Sequence, residues 1–155
     1  SHASADSILG MFGLRTPIVT VVTGEGGSGG ALALAVADRV LMFERAIYSV
    51  ITPEACSAIL WGHAQDAPTA ARALSITARR LLELGVVDGV VPEPAEDLAG
   101  RTKLMAASLA DAVAAELDEL NRADASELLP RRRARFRAFG DAGVSSRRAR
   151  KDAVE

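Results

Sequence analysis

The sequence holds few of the side chains that carry out enzyme chemistry. It has one cysteine, Cys56, and two histidines, His2 and His63, in 155 residues. A lone cysteine excludes an internal disulfide and a multi-cysteine zinc site, and a reducing cytoplasm is the simplest compartment for it. His63 has no evident catalytic partner in the sequence. No apolar run is long enough to span a bilayer, and the N-terminus lacks the layout of a signal peptide. The formal net charge of -2 gives no general case for nucleic-acid or membrane partners. The first residues, Ser1-His2, point to a tag remnant, a processed product or an excised fragment.

What is present is an ordinary globular composition, with 49% hydrophobic and 25% charged residues, enough for one domain with a modest core. Asp6 to Leu14 reads as a short helix. Pro17 to Thr23 (PIVTVVT) is a run of β-branched residues that fits a strand buried on both faces. The glycine-rich turn Gly24 to Gly30 follows, and then a helix from Ala31 to Ala37. Arg39 to Phe43 and Ala46 to Ile51 read as strands. Thr52 is the expected N-cap of a helix from Pro53 to about Trp61. Asp66 and Pro68 open a longer helix, Thr69 to Leu84, stopped by Gly85. Val86 to Val91 reads as a strand, and Arg101 to Leu120 as a helix. Ser126 is the expected cap of a last helix through Phe139, with Gly140 as its stop. Residues 141–155 have few apolar side chains and read as a loose tail. Alternating strands and helices give an α/β class, with no evident internal repeat.

The segment Gly24-Glu25-Gly26-Gly27-Ser28-Gly29-Gly30-Ala31 is the most informative part of the chain. It joins a buried strand to a helix, whose first turn leaves backbone N–H groups unpaired. Those donors and the helix dipole favour negative charge, and glycine lets a ligand come close to the backbone. The turn could hold a phosphate or a developing oxyanion, or could be a tight turn chosen for packing. Phosphate is the poorer fit, because a P-loop needs Lys and then Ser or Thr after its last glycine, and here Ala31-Leu32 follow.

Three blocks of residues resemble a known family. The run Gly29-Gly30-Ala31-Leu32-Ala33-Leu34-Ala35, with Asp38 and the strand after it, is similar to an oxyanion-hole turn of the crotonase superfamily. More closely, PIVTVVTGEGGSGGALALAVADRV (17–40), YSVITPEACSAILW (48–61) and ITARRLLELGVVDGVVPEP (76–94) resemble the carboxyltransferase α subunit of bacterial acetyl-CoA carboxylase. ELLPRRRARFRAFG (127–140) resembles that family's C-terminal helix. The resemblance implies the C-terminal half of a crotonase-type ββα spiral in residues 1–100, with earlier ββα turns expected before Ser1. Residues 101–140 would form a helical C-terminal extension.

By the same resemblance, carboxybiotin on a separate biotin carboxyl carrier protein gives its carboxyl group to an acyl-CoA, yielding malonyl-CoA if the acyl group is acetyl. Gly29 and Gly30 would supply backbone N–H groups of one oxyanion hole, for the biotin oxygen, and Gly26, Gly27, Ser28 and Ala31 would border the ligand. The base is the biotin nitrogen, so no His, Cys or Lys is required. The implied partners are a carboxyltransferase β-type subunit and the carrier, in a cytoplasmic hetero-oligomer with no metal in this chain. The chain departs from the family at Ala55, where glycine is usual, and across Ala95 to Lys103.

Other residues read more plainly. Glu54 suits the first turn of a helix whether or not it acts as an acid, and Glu25 is the second tempting carboxylate. A biotin-independent crotonase-type hydratase, isomerase or decarboxylase would need such a residue, and a non-catalytic partner subunit would need none. Ser28 lacks the His and Asp of a nucleophilic constellation, and Cys56 reads as a small buried residue. The run Arg131-Arg132-Arg133-Ala134-Arg135-Phe136-Arg137 reads as a solvated helix face balanced by upstream acids, with docking or nucleic acid as alternatives. Leu104, Met105, Leu109, Val113 and Leu117 form an apolar stripe expected to face the core.

Overall fold

In the computed structural model, residues 2–95 and 99–139 are described. The β-branched run after Pro17 forms strand β1 (Val19–Val22), preceded by helix α1 (His2–Gly13). The chain then lays down β2 (Glu25–Gly27), α2 (Ser28–Leu34), β3 (Arg39–Phe43) and β4 (Ile47–Ser49). Three helices follow, α3 (Pro53–Trp61), α4 (Ala67–Leu74) and α5 (Ala78–Glu83), then β5 (Gly89–Val91), α6 (Arg101–Arg122) and α7 (Ala125–Ala138). All strand pairings are parallel: β1-β3-β5 make one sheet and β2-β4 the other. Each passage of two strands and a helix therefore adds one strand to each sheet, which is the expected ββα spiral. Among the described residues β1 and β2 are paired on one side only.

The core forms where this parallel sheet is covered on both faces. Val40, Leu41, Met42 and Phe43 of β3 are all buried, with Ala37, Tyr48, Leu81, Val87 and Val91 around them. Met105, Leu109 and Val113 of α6 pack onto this cluster as their helical spacing predicts. Leu104 does not, and is 47% exposed. Cys56 is only half-buried. No described helix is long and apolar enough to cross a membrane.

Several element boundaries differ from the sequence expectation, each for a local reason. Helix α2 starts at Ser28 rather than Ala31, so Gly29 and Gly30 lie within its first turn. The single helix expected over Thr69–Leu84 is two, broken where Ser75 turns left-handed with φ 56°. Ile76 is buried there, its carbonyl accepts from the Tyr48 N–H at 3.1 Å, and Thr77 bridges to Ile47. The second sheet thus claims backbone groups that a continuous helix would have used. Helix α7 is capped by Asp124, not Ser126: the carboxylate accepts from both the Ser126 N–H and hydroxyl at 2.8 Å. Residues 140–155, including the Gly140 stop and the tail, lie outside the described residues.

The arginine run departs from the expected solvated face at two positions, Arg132 and Arg135. Arg132 is 1% exposed. Its Nε and Nη2 donate to the two oxygens of Asp38 at 2.9 and 2.7 Å, and the remaining N–H groups donate to the carbonyls of Met11, Leu14 and Thr16. Arg135, one turn on, donates to both oxygens of Asp88 and to the Val86 carbonyl. Arg132 and Arg135 thus bolt α7 to the fold, while Arg131, Arg133 and Arg137 are exposed as expected, and Arg131 lies 3.6 Å from the upstream acid Glu127.

The two aspartates play matching parts, which amounts to a structural repeat hidden from sequence spacing. Asp38 precedes β3; its N–H donates to the Ile18 carbonyl and its Oδ2 accepts from the Ile18 N–H. Asp88 precedes β5 and makes the same pair of bonds with Val40. Each carboxylate thus closes the start of its strand onto the preceding turn of the spiral, and α7 holds both.

Candidate functional site

Leaving β1, the chain passes Thr23 and Gly24, whose carbonyl accepts from the Ile47 N–H at 2.9 Å. That bond starts the pairing of β2 with β4, which sets Gly26 opposite Tyr48 and Gly27 opposite Ser49. A Cβ on Gly26 would lie 3.0 Å from the Tyr48 ring and 3.0 Å from the Val22 side chain. Glycine at 26 is therefore demanded by packing within the chain. Ser28 then takes a left-handed φ of 62° and is exposed. That conformation is strained for a residue with a Cβ, and it swings the chain into α2.

Gly29 and Gly30 differ from Gly26. Both are exposed, neither has a left-handed φ, and a Cβ on either would meet nothing within 4 Å. As first-turn residues their N–H groups have no intrahelical acceptor. Gly27 supplies no side-chain cap, and among the described residues no other hydrogen bond takes these amides up. Glycine early in a helix costs about 0.5–1 kcal/mol against alanine. Nothing among the described residues requires that cost at 29 or 30.

A groove of about 570 Å³ runs beside the turn, from β2 to the start of α3. Glu25, Gly26, Gly27, Ser49, Thr52 and Glu54 are among the residues that line it. Thr52 caps α3 by accepting from the Ala55 N–H at 3.2 Å, which sets Glu54 in the exposed first turn. Glu25 and Glu54, far apart in sequence, thus line one groove. Ile51 and Pro53 line it too, and sequence reasoning assigned them no role there; the Thr-Pro start signal of α3 was the available clue. His63 stands beside Asp66 at 3.7 Å. Among the described residues no group of three or more His, Cys, Asp or Glu side chains is placed to hold a metal ion.

Residues 1–140 match the family model described as acetyl co-enzyme A carboxylase carboxyltransferase-like. The chain is 54% identical over 145 residues to acetyl-coenzyme A carboxylase carboxyl transferase subunits beta/alpha of Salinispora tropica, covering 94% of this chain and 26% of that protein. It is 49% identical over 144 residues to the subunit alpha of Rhodospirillum centenum, covering 93% and 45%. It spans from about a quarter to under half the length of these curated relatives. A solved Pseudomonas malonate decarboxylase hetero-tetramer in complex with coenzyme A superposes with a TM-score of 0.67 at 16% identity, covering 98% of this chain and 59% of that one. The fold it shares is of the crotonase type. An exposed glycine turn on a ββα spiral and these similarities lead to one assignment: the chain belongs to the acetyl-CoA carboxylase carboxyltransferase family.

Proposed function

We propose that this chain is part of the α-type component of a biotin-dependent acyl-CoA carboxyltransferase. The observation that carries the reading is the pair of exposed, unpaired amides at Gly29 and Gly30, with open space where side chains would stand. Two bare donors at a helix start suit an oxygen that becomes negative during reaction. Among the described residues nothing demands glycine there, which fits the approach of something from outside the chain.

Carboxybiotin, on a separate carrier protein, would supply the activated carboxyl group. A flat ureido oxygen fits this turn, because no side chain stands within 4 Å of the ideal Cβ positions of 29 and 30. In this reading the Gly29 and Gly30 amides hold that oxygen as it gains charge, each donor contributing about 2.7–4 kcal/mol to the transition state. Gly26 and Gly27 hold β2 in register with β4, and the left-handed bend at Ser28 aims the first turn of α2. The groove lined by Glu25 and Glu54 opens beside the turn, and Ser28, Gly29, Gly30 and Ala31 stand outside its lining. Neither carboxylate is needed as a base. A biotin-independent hydratase draws no support from the family to which the chain belongs.

The partner is a β-type subunit with a second, related oxyanion hole for the acyl-CoA enolate. Relatives named as subunits beta/alpha join both parts in one polypeptide, which supports that pairing. The one-sided pairing of β1 and β2 suits a further ββα turn stacked against both sheets; the proposed assembly is a hetero-oligomer of the cytoplasm. The test is to combine the full protein with a β-type subunit and measure carboxyl transfer between carboxybiotin and acetyl-CoA. Transfer that needs both subunits and biotin is expected. Acyl-CoA hydration without biotin, or stable association with no turnover, would overturn the reading.

A further inference from the structure

Helix α2 carries the Gly29 and Gly30 amides, yet its own sequence gives it little to hold on with. It has seven residues, SGGALAL, and so short a helix does not sustain itself in water. The side chains it turns inward are alanines: Ala33 is buried, and Ala31 packs on the core cluster together with Ala35 just beyond the helix. Leu32 and Leu34 point away, at 44% and 65% exposed. Methyl groups take the helix out of water but present no long side chain to interlock with a neighbour. Packing therefore fixes the position of α2 along its own axis only weakly.

One hydrogen bond supplies what packing lacks. Strand β1 reads VTVV, and Thr20 is its one polar residue. Val19, Val21 and Val22 pack against the core cluster. The Thr20 Oγ1 instead donates at 2.7 Å to the carbonyl of Leu34, the last residue of α2. Carbonyls of a last turn have no intrahelical partner. Among the described residues this is the only hydrogen bond that ties α2 to another element. The pair is exposed, so water would satisfy the carbonyl if the hydroxyl were gone, and the bond contributes placement more than stability.

Leu34 lies four residues beyond Gly30, about 6 Å along the axis, and a helix this short moves as one body. A displacement at its last carbonyl is passed to the amides of its first turn. Those amides must stand about 2.7–3.1 Å from the oxygen they stabilise, a window narrower than the slack that alanine packing leaves.

We propose that Thr20 is a positioning residue for carboxyl transfer: by holding the Leu34 carbonyl, its hydroxyl sets where α2 presents the Gly29 and Gly30 amides. The inference rests on the role given to those amides above and adds a residue outside the glycine turn on which their alignment depends.

The test compares Thr20→Val and Thr20→Ser with the parent, each as the full protein assembled with a β-type subunit. Valine keeps the shape and the β-branching but cannot donate; serine keeps the donor. Thr20→Val is expected to lower kcat for transfer from carboxybiotin about tenfold, with KM for acetyl-CoA and the melting temperature close to the parent's. Thr20→Ser is expected to recover most of the lost kcat. The Gly29 and Gly30 amide resonances, read without turnover, should move in Thr20→Val and return towards their parental positions in Thr20→Ser. Parental kcat in Thr20→Val, an equal loss in Thr20→Ser, or glycine resonances that stay in place would each overturn the inference while leaving the carboxyl-transfer reading intact. A parent that assembles but does not turn over would overturn that reading, and this inference with it.

Discussion

The Arg132 guanidinium and the Asp38 carboxylate face each other through two parallel hydrogen bonds, at 2.9 and 2.7 Å, with both side chains almost wholly removed from solvent. Every remaining N–H of Arg132 ends on a carbonyl of the segment before β1. One arginine therefore joins α7, the start of β3 and the exit of α1.

Truncating that arginine strands a buried carboxylate and several carbonyls. Arg132→Ala is expected to cost about 3–5 kcal/mol of unfolding free energy. Arg132→Lys should also lose much of this, because an ammonium cannot reproduce the planar fork. Arg135→Ala is expected to cost less, about 1.5–3 kcal/mol, since its pair with Asp88 is part-exposed. Urea unfolding of the three variants gives the order, and equal losses for Arg132→Ala and Arg135→Ala would contradict it.

The glycines of the turn should separate into two classes. Gly26→Ala sets a Cβ against the Tyr48 ring and Val22 and is expected to destabilise by about 1–3 kcal/mol. Gly30→Ala meets nothing and is expected to stabilise the chain by about 0.5–1 kcal/mol through helix propensity. Thermal melting of both proteins decides the matter; destabilisation by Gly30→Ala would mean an internal role for that glycine.

The cap of α7 should be sensitive to acid. The Asp124 carboxylate lies below its ordinary pKa of 3.8 because the Ser126 N–H, and then its hydroxyl, donate to the charged form. A depressed folded pKa contributes stability that is complete above the unfolded value and is lost as pH falls through the folded one. Amide exchange in the first turn of α7 should therefore quicken as pH drops below about 3.8, after correction for intrinsic exchange. Asp124→Asn, which keeps an acceptor but does not titrate there, should flatten that dependence.

These contrasts also show what the sequence discloses. The strand at Val19–Val22 was legible because its β-branched run has no other good use, although as an edge strand among the described residues it is half-buried and not sealed on both faces. The start of α3 was legible because Thr52-Pro53 is a local cap. The split at Ser75 was not, because its cause is the Tyr48 N–H reaching for the Ile76 carbonyl from another element. Arg132 read as surface for the same kind of reason: what buries it is Asp38, 94 residues away. In the site, the glycine turn and its position before a helix could be read directly. That Gly26 serves packing while Gly29 and Gly30 stand clear, and that Glu25 and Glu54 share a groove, required the pairing of β2 with β4.

The most direct test of the central claim is the rate of carboxyl transfer in the assembled enzyme carrying Gly29→Val or Gly30→Val. The added side chains occupy open space in this chain, so the complex should still assemble and sediment as the parent does. Transfer from carboxybiotin is expected to be abolished, because the valine side chain stands where the ureido oxygen must approach the amide, and forfeiting that one contact alone costs about 2.7–4 kcal/mol of transition-state stabilisation. Full transfer activity in a correctly assembled variant would contradict the assignment of these amides.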